Sequence, residues 1–233
     1  MPETINGFRL RGSEVSRLES FSDAVFGFAL TLLVVSLDVP KTASDLFDVM
    51  RGFPAFAICF LFLALIWNGH YKFCRRFGLD DGMTRFLTCV MLFLVLFYIY
   101  PLKFLFTLSV DNMMFRFAAH AVHMTLSQLS ALLIIYGIGF AAVWLALTFL
   151  YLHAYRLRES LELTELEKFE TRYQIHRLLI LVGVGLLAAL LACLRPMLFW
   201  SGWTYMLLVP ILRIYGIIHK RKRAPMLAAG GFR

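Results

Sequence analysis

Long apolar runs alternate with short polar breaks along the whole chain. The runs cover residues 21–39, 52–71, 86–108, 127–153, 176–196 and 202–219. Each is near the roughly 20 residues that a helix needs to cross a hydrocarbon core of about 30 Å. Inside a bilayer every backbone polar group must bond within the protein, so only helices and closed barrels span it. A barrel would show alternating segments of about ten residues, and none recur here. The pattern predicts an all-α integral membrane protein with six transmembrane helices, a single domain over 1–233 with no internal repeat. Ser36, Leu37, Asp38, Val39 and Pro40 after the first run make no small-x-small cleavage site, so that run is expected to stay as the first helix. The one long polar stretch, 156–176, mixes Glu159, Glu162, Glu165, Glu167 and Glu170 with Arg158, Lys168 and Arg172. It suits a cytoplasmic helical extension with solvated faces, and a regulatory or partner-binding role there stays open.

Composition sharpens this picture. Of 233 residues 60% are hydrophobic and 16% charged, against about 45–50% and about 25% in soluble domains. That excludes a soluble enzyme, a disordered chain and a disulfide-stapled secreted domain. Cys59, Cys74, Cys89 and Cys193 are widely spaced without a C-x-x-C and read as free thiols.

Charge then sets the orientation. One set of alternate segments carries Arg9, Arg11, Arg17, Lys72, Arg75, Arg76, Arg85, Arg156, Arg158, Lys168, Arg172, Arg177, Arg213, Lys220, Arg221, Lys222, Arg223 and Arg233, eighteen in all. The other set has five: Lys41, Arg51, Lys103, Arg116 and Arg195. The positive-inside rule places both termini in the cytoplasm. The formal charge of +8 then marks cytoplasmic loops rather than nucleic-acid binding, and the 220–223 cluster suits anionic lipid headgroups.

The informative residues are polar ones in an apolar solvent, because an ionisable group at membrane depth costs about 2.5–3.5 kcal/mol on insertion scales and needs a partner. Asp23 lies just inside the first run, and Trp67, Asn68 and His70 lie near the cytoplasmic end of the second. The first helix runs outward and the second returns, so a hydrogen-bonded latch between them is sterically reasonable. An interfacial cap with Asp23 in the first turn is the plain alternative.

Arg17, Phe21, Ser22 and Asp23, followed by the apolar run 24–35, resemble the R-x-x-x-F-S-D signature of the transmembrane-protein-175 potassium channel family. Trp67-Asn68-Gly69-His70 is similar to that family's cluster on its second helix. The resemblance implies a potassium-permeable homotetramer in a prokaryotic plasma membrane, with potassium as the transported ion and no cofactor. The four first helices would line the ion path, without the T-V-G-Y-G carbonyl filter of ordinary potassium channels. It puts apolar rings at Phe28, Leu32 and Val35, a threonine layer at Thr31, and the latch on Arg17, Phe21, Ser22, Asp23, Trp67, Asn68 and His70. The family's narrow ring is aliphatic, whereas here Phe28 follows Gly27, so four phenyl groups need wider helix spacing or turned rings.

Helical geometry gives a separate check. At 100° per residue, Leu32 lies about 40° and Val35 about 20° from Phe28, Thr31 about 60° to the flank, and Asp23 about 140° away. Leu33 then faces lipid.

Rival readings are a proton-coupled secondary transporter relaying through Asp23 and His70, and a membrane scaffold. No inverted repeat or paired broken spans support the transporter. His120 and His123 have metal-ligand spacing, but Asp111 is the sole acid in that loop, so no metal site is expected. His153, His176 and His219 suit helix C-termini, and Trp200, Trp203 and Tyr205 an interfacial aromatic belt. With no nucleophile–base pair, Walker loop or dinucleotide fingerprint, no enzyme activity is expected.

Overall fold

The computed structural model describes residues 4–5, 7–12, 14–35, 41–114 and 124–229. A two-residue antiparallel ladder, β1 (Thr4–Ile5) with β2 (Phe8–Arg9), precedes the helices. These are α1 (Arg17–Val35), α2 (Ala43–Arg51), α3 (Phe53–Phe77), α4 (Gly82–Met114), α5 (Leu126–Arg156), α6 (Glu165–Cys193), α7 (Leu198–Trp203) and α8 (Leu208–Ala229). Among the described residues five stretches are long and apolar enough to cross a membrane: Phe53–Phe77, Gly82–Ser109, Leu126–Arg156, Glu165–Cys193 and Leu198–Pro225. The first predicted run falls on α1, which carries Arg17, Glu19 and Asp23 in its first two turns and is apolar from Ala24 onward.

Local chemistry sets the boundaries. Thr42, Thr125 and Thr164 cap α2, α5 and α6, each closed by a reciprocal bond from Asp45, Gln128 or Glu167. α3 begins with Pro54 in its first turn and ends at Gly78, whose left-handed φ of 59° favours glycine.

Two expectations change. The 156–176 segment is not one solvated extension: α5 stops at Arg156, a turn follows, and Glu165 starts a helix that runs unbroken into the fifth apolar run. Thr164 caps that start, and Leu163 and Leu166 are buried, so the segment is held against the bundle. The short α2, with Leu46, Phe47 and Met50 exposed, is an element the apolar runs did not predict.

α5 and α6 form the most extensive helix pair, and α4 packs on α5. Small residues let the α5 and α6 backbones approach: a Cβ on Gly137 would stand 2.8 Å from the Gly185 carbonyl oxygen and 2.9 Å from Ala189. Tyr98 on α4 donates to the Tyr136 carbonyl of α5 at 3.2 Å. α1 leans on α3 and α4.

Candidate functional site

α1 has two unlike faces. Leu18, Ser22, Phe26, Ala29 and Leu33 are buried, a spacing of three and four residues that makes one stripe. On the reverse, Phe21, Ala24, Phe28 and Thr31 are exposed, Phe28 by 59%. Leu32 is half-buried at the edge; the Val35 side chain lies outside the described residues. The Thr31 hydroxyl donates to the Phe28 carbonyl at 2.7 Å, a local bond that leaves its oxygen lone pairs unused. Two expectations shift with this rotation. Thr31, predicted at the flank, sits near the middle of the uncovered arc. Leu33, predicted to face lipid, is 1% exposed. The cause is that α3 and α4 both lie on one side of α1.

On an exposed flank of α1, Trp67 Nε1 donates to Asp23 Oδ1 at 2.7 Å, and the indole stacks on Tyr71. The other residues grouped with this pair go elsewhere. Ser22 Oγ bonds the Leu18 carbonyl of its own helix at 2.8 Å. His70, 1% exposed, faces Thr88 Oγ1 at 3.4 Å and Cys74 Sγ at 3.8 Å. Asn68 borders a separate cavity against α6. Arg17 and Phe21 are exposed, and among the described residues no hydrogen bond or ion pair joins Arg17 to Asp23.

Some polar contacts escape a reading of the sequence. Residues 8–12 strap the end of α3 to the start of α6. Arg11 grips Glu167 with two bonds of 3.2 and 2.9 Å, the Arg9 amide adds one of 2.8 Å, and Glu167 itself is fully buried. Phe8 meets Phe77 edge-on at 5.7 Å, and the Gly12 amide bonds the Arg75 carbonyl at 3.1 Å. The one signal for this in the sequence is Thr164-x-x-Glu167, a capping box. Asp81, in the turn between α3 and α4, meets His153 Nε2 at 2.6 Å. Burial pushes the Asp81 carboxyl up, but bonds from Thr84 and His153 outweigh it and hold it below the usual carboxylate value.

The remaining predicted positions divide. His120 and His123 lie outside the described residues. His176 Nδ1 pairs with the Tyr215 hydroxyl at 3.0 Å, and His219 stacks between Phe169 and Tyr173. Trp200 and Trp203 are exposed, as a belt requires. Tyr205 does not join them, because it turns inward against Tyr136 and Phe140.

Apolar helices of membrane-crossing length, with polar contacts gathered near the ends of α3 and α6, define a multi-pass α-helical membrane protein. The family described as "Endosomal/lysosomal potassium channel TMEM175" matches residues 17–101, from α1 into α4. A potassium channel of Marivirga tractuosa is 35% identical over 247 residues, covering 97% of each chain. One of Streptomyces collinus is 25% identical over 142 residues, covering 58% of this chain and 66% of its own. The crystal structure of a variant of the potassium channel MtTMEM175, in complex with a nanobody–MBP fusion, superposes with a TM-score of 0.84. It is 34% identical and covers 95% of this chain and all of that one. The chain belongs to the TMEM175 potassium channel family.

Proposed function

We propose that the protein is one subunit of a homotetrameric, potassium-permeable channel in a prokaryotic plasma membrane. Its 233 residues form a single channel unit with six spans and both termini in the cytoplasm. α1 lines the ion path, narrowed by apolar rings of Phe28, Leu32 and Val35. The observation that carries this reading is the uncovered arc of α1, with Phe28 and Thr31 exposed on a helix whose other side is packed. Four such arcs around an axis cover one another and enclose a path.

Apolar rings offer an ion no oxygen to replace its water, so a narrow ring blocks by dewetting. Potassium sheds water more readily than the smaller sodium ion. The free lone pairs of Thr31 supply an acceptor layer beside the rings. The Trp67–Asp23 bond serves as the latch that holds α1 on α3, while Ser22, Asn68 and His70 take partners or surroundings of their own. The transporter reading is set aside, since the relatives are named potassium channels and His70 is bonded to Thr88 and not to Asp23.

Purified protein in proteoliposomes under a potassium gradient tests the function. Passive flux without a coupling ion is expected, and Phe28→Ala or Leu32→Ala should raise it and weaken discrimination against sodium. Flux that depends strictly on a counter-transported proton, or unchanged currents in both variants, overturns the reading. Labelling of an engineered C-terminal cysteine by an impermeant reagent outside intact cells would overturn the orientation.

A further inference from the structure

Lys72 of α3 and Arg177 of α6 line one cavity of about 160 Å³, together with the side-chain amides of Asn68 and Gln174. The lining holds no carboxylate. Among the described residues, neither cation has a hydrogen bond or ion pair to protein, and neither amide has a side-chain partner. Both cations are exposed at the rim of this cavity. Two cations that line one cavity with no carboxylate beside them make it attractive to an anion. The far end of the same cavity is apolar, with Leu65 largely exposed and Leu181 half-exposed on helices of membrane-crossing length.

A slot with two unpaired cations and two amide donors at one end and leucines at the other matches an amphiphile. We propose that it binds an anionic phospholipid. The phosphate sits between Lys72 and Arg177, and an acyl chain runs along Leu65 and Leu181. A zwitterionic lipid carries the same phosphate but brings its own cation, so its net attraction to the pair is smaller. A free phosphate shares the headgroup chemistry and leaves the leucines uncovered. This site is independent of where ions cross the protein, because lipid binding is read without ion flow.

The test is the thermal-unfolding midpoint of the full-length protein in detergent micelles, titrated with phosphatidylglycerol, with phosphatidylcholine, or with inorganic phosphate. Saturable stabilisation by phosphatidylglycerol is expected, with little from the other two. In Lys72→Gln/Arg177→Gln the half-saturating lipid fraction should rise about thirtyfold, from two charges each worth about 1 kcal/mol. Lys41→Gln/Arg156→Gln removes the same net charge at two exposed positions outside the cavity and should leave the response in place. Leu65→Trp fills the apolar end while keeping both cations, and should remove the response in a folded protein. It decides the matter if the double charge variant does not fold. The proposal is overturned by any of several results: no lipid response, an equal response to inorganic phosphate, an unchanged response in the cavity variants, or an equal loss in Lys41→Gln/Arg156→Gln.

Discussion

The α5–α6 pair and α1 solve the packing problem in opposite ways. α5 and α6 meet through Gly137, Ala141, Gly185 and Ala189, with backbone close enough that no side chain fits between them. In lipid, such close approach drives helix association, because the tails around the helices are as apolar as leucine. That pair is satisfied within one chain. α1 has large residues on both faces, and only one face is covered: Leu33 is buried while Phe28 stands open. The contrast teaches that burial within the chain marks what the subunit needs to fold. In the proposed channel, the uncovered arc is what the subunit would offer to other copies.

Substitutions can break this contrast or sharpen it. Gly137→Leu should do the most damage, because the new side chain meets the Gly185 carbonyl and Ala189. Little monodisperse protein is expected by size-exclusion chromatography; normal recovery would mean the pair tolerates separation. Leu33→Ala empties a filled site on the covered face of α1 and should cost about 2–5 kcal/mol in unfolding measurements in detergent. Asp23→Ala leaves the Trp67 N–H without its acceptor, at about 1–3 kcal/mol, with poorer assembly expected rather than a changed ion preference. A stable Asp23→Ala assembly with altered selectivity would move Asp23 from the contact with α3 to the ion path.

Asp81→Asn should cost less, within about 1 kcal/mol, because its pair with His153 is partly exposed. Its sign with pH is fixed. The folded carboxyl titrates below 3.8, its ordinary value, so the contribution is complete above that value. It fades as pH falls through the lower folded value. Unfolding of wild type and Asp81→Asn should therefore converge in acid. Phe28→Ala should change stability least, within about 0.5 kcal/mol, while single-channel recordings show the larger current. A Phe28→Ala subunit as unstable as Leu33→Ala would erase the distinction between the faces.

How much of this was legible in the sequence depends on the kind of question. The apolar runs reveal the crossing helices because hydropathy needs no knowledge of neighbours. The Asp23 and Trp67 pairing was also within reach, since a first helix running outward and a second returning bring equal depths together. Rotation about the α1 axis was not legible at Leu33 and Thr31. An even helical apolar pattern leaves open which side α3 and α4 will take. Arg9, Arg11, Lys72 and Arg177 were counted as markers of sidedness, which is all a one-dimensional tally can say of a basic residue. Two of them grip Glu167, and two line one cavity whose lining holds no carboxylate.

The strap of residues 8–12 bears on the order in which the molecule is made. Its grip on Glu167 joins positions 158 residues apart, so it cannot close until the ribosome has delivered α6. The stretch synthesised early is thus among those fixed late. Until then Arg9 and Arg11 have no Glu167 to grip, and only afterwards do they become the clasp that ties the first part of the chain to α6.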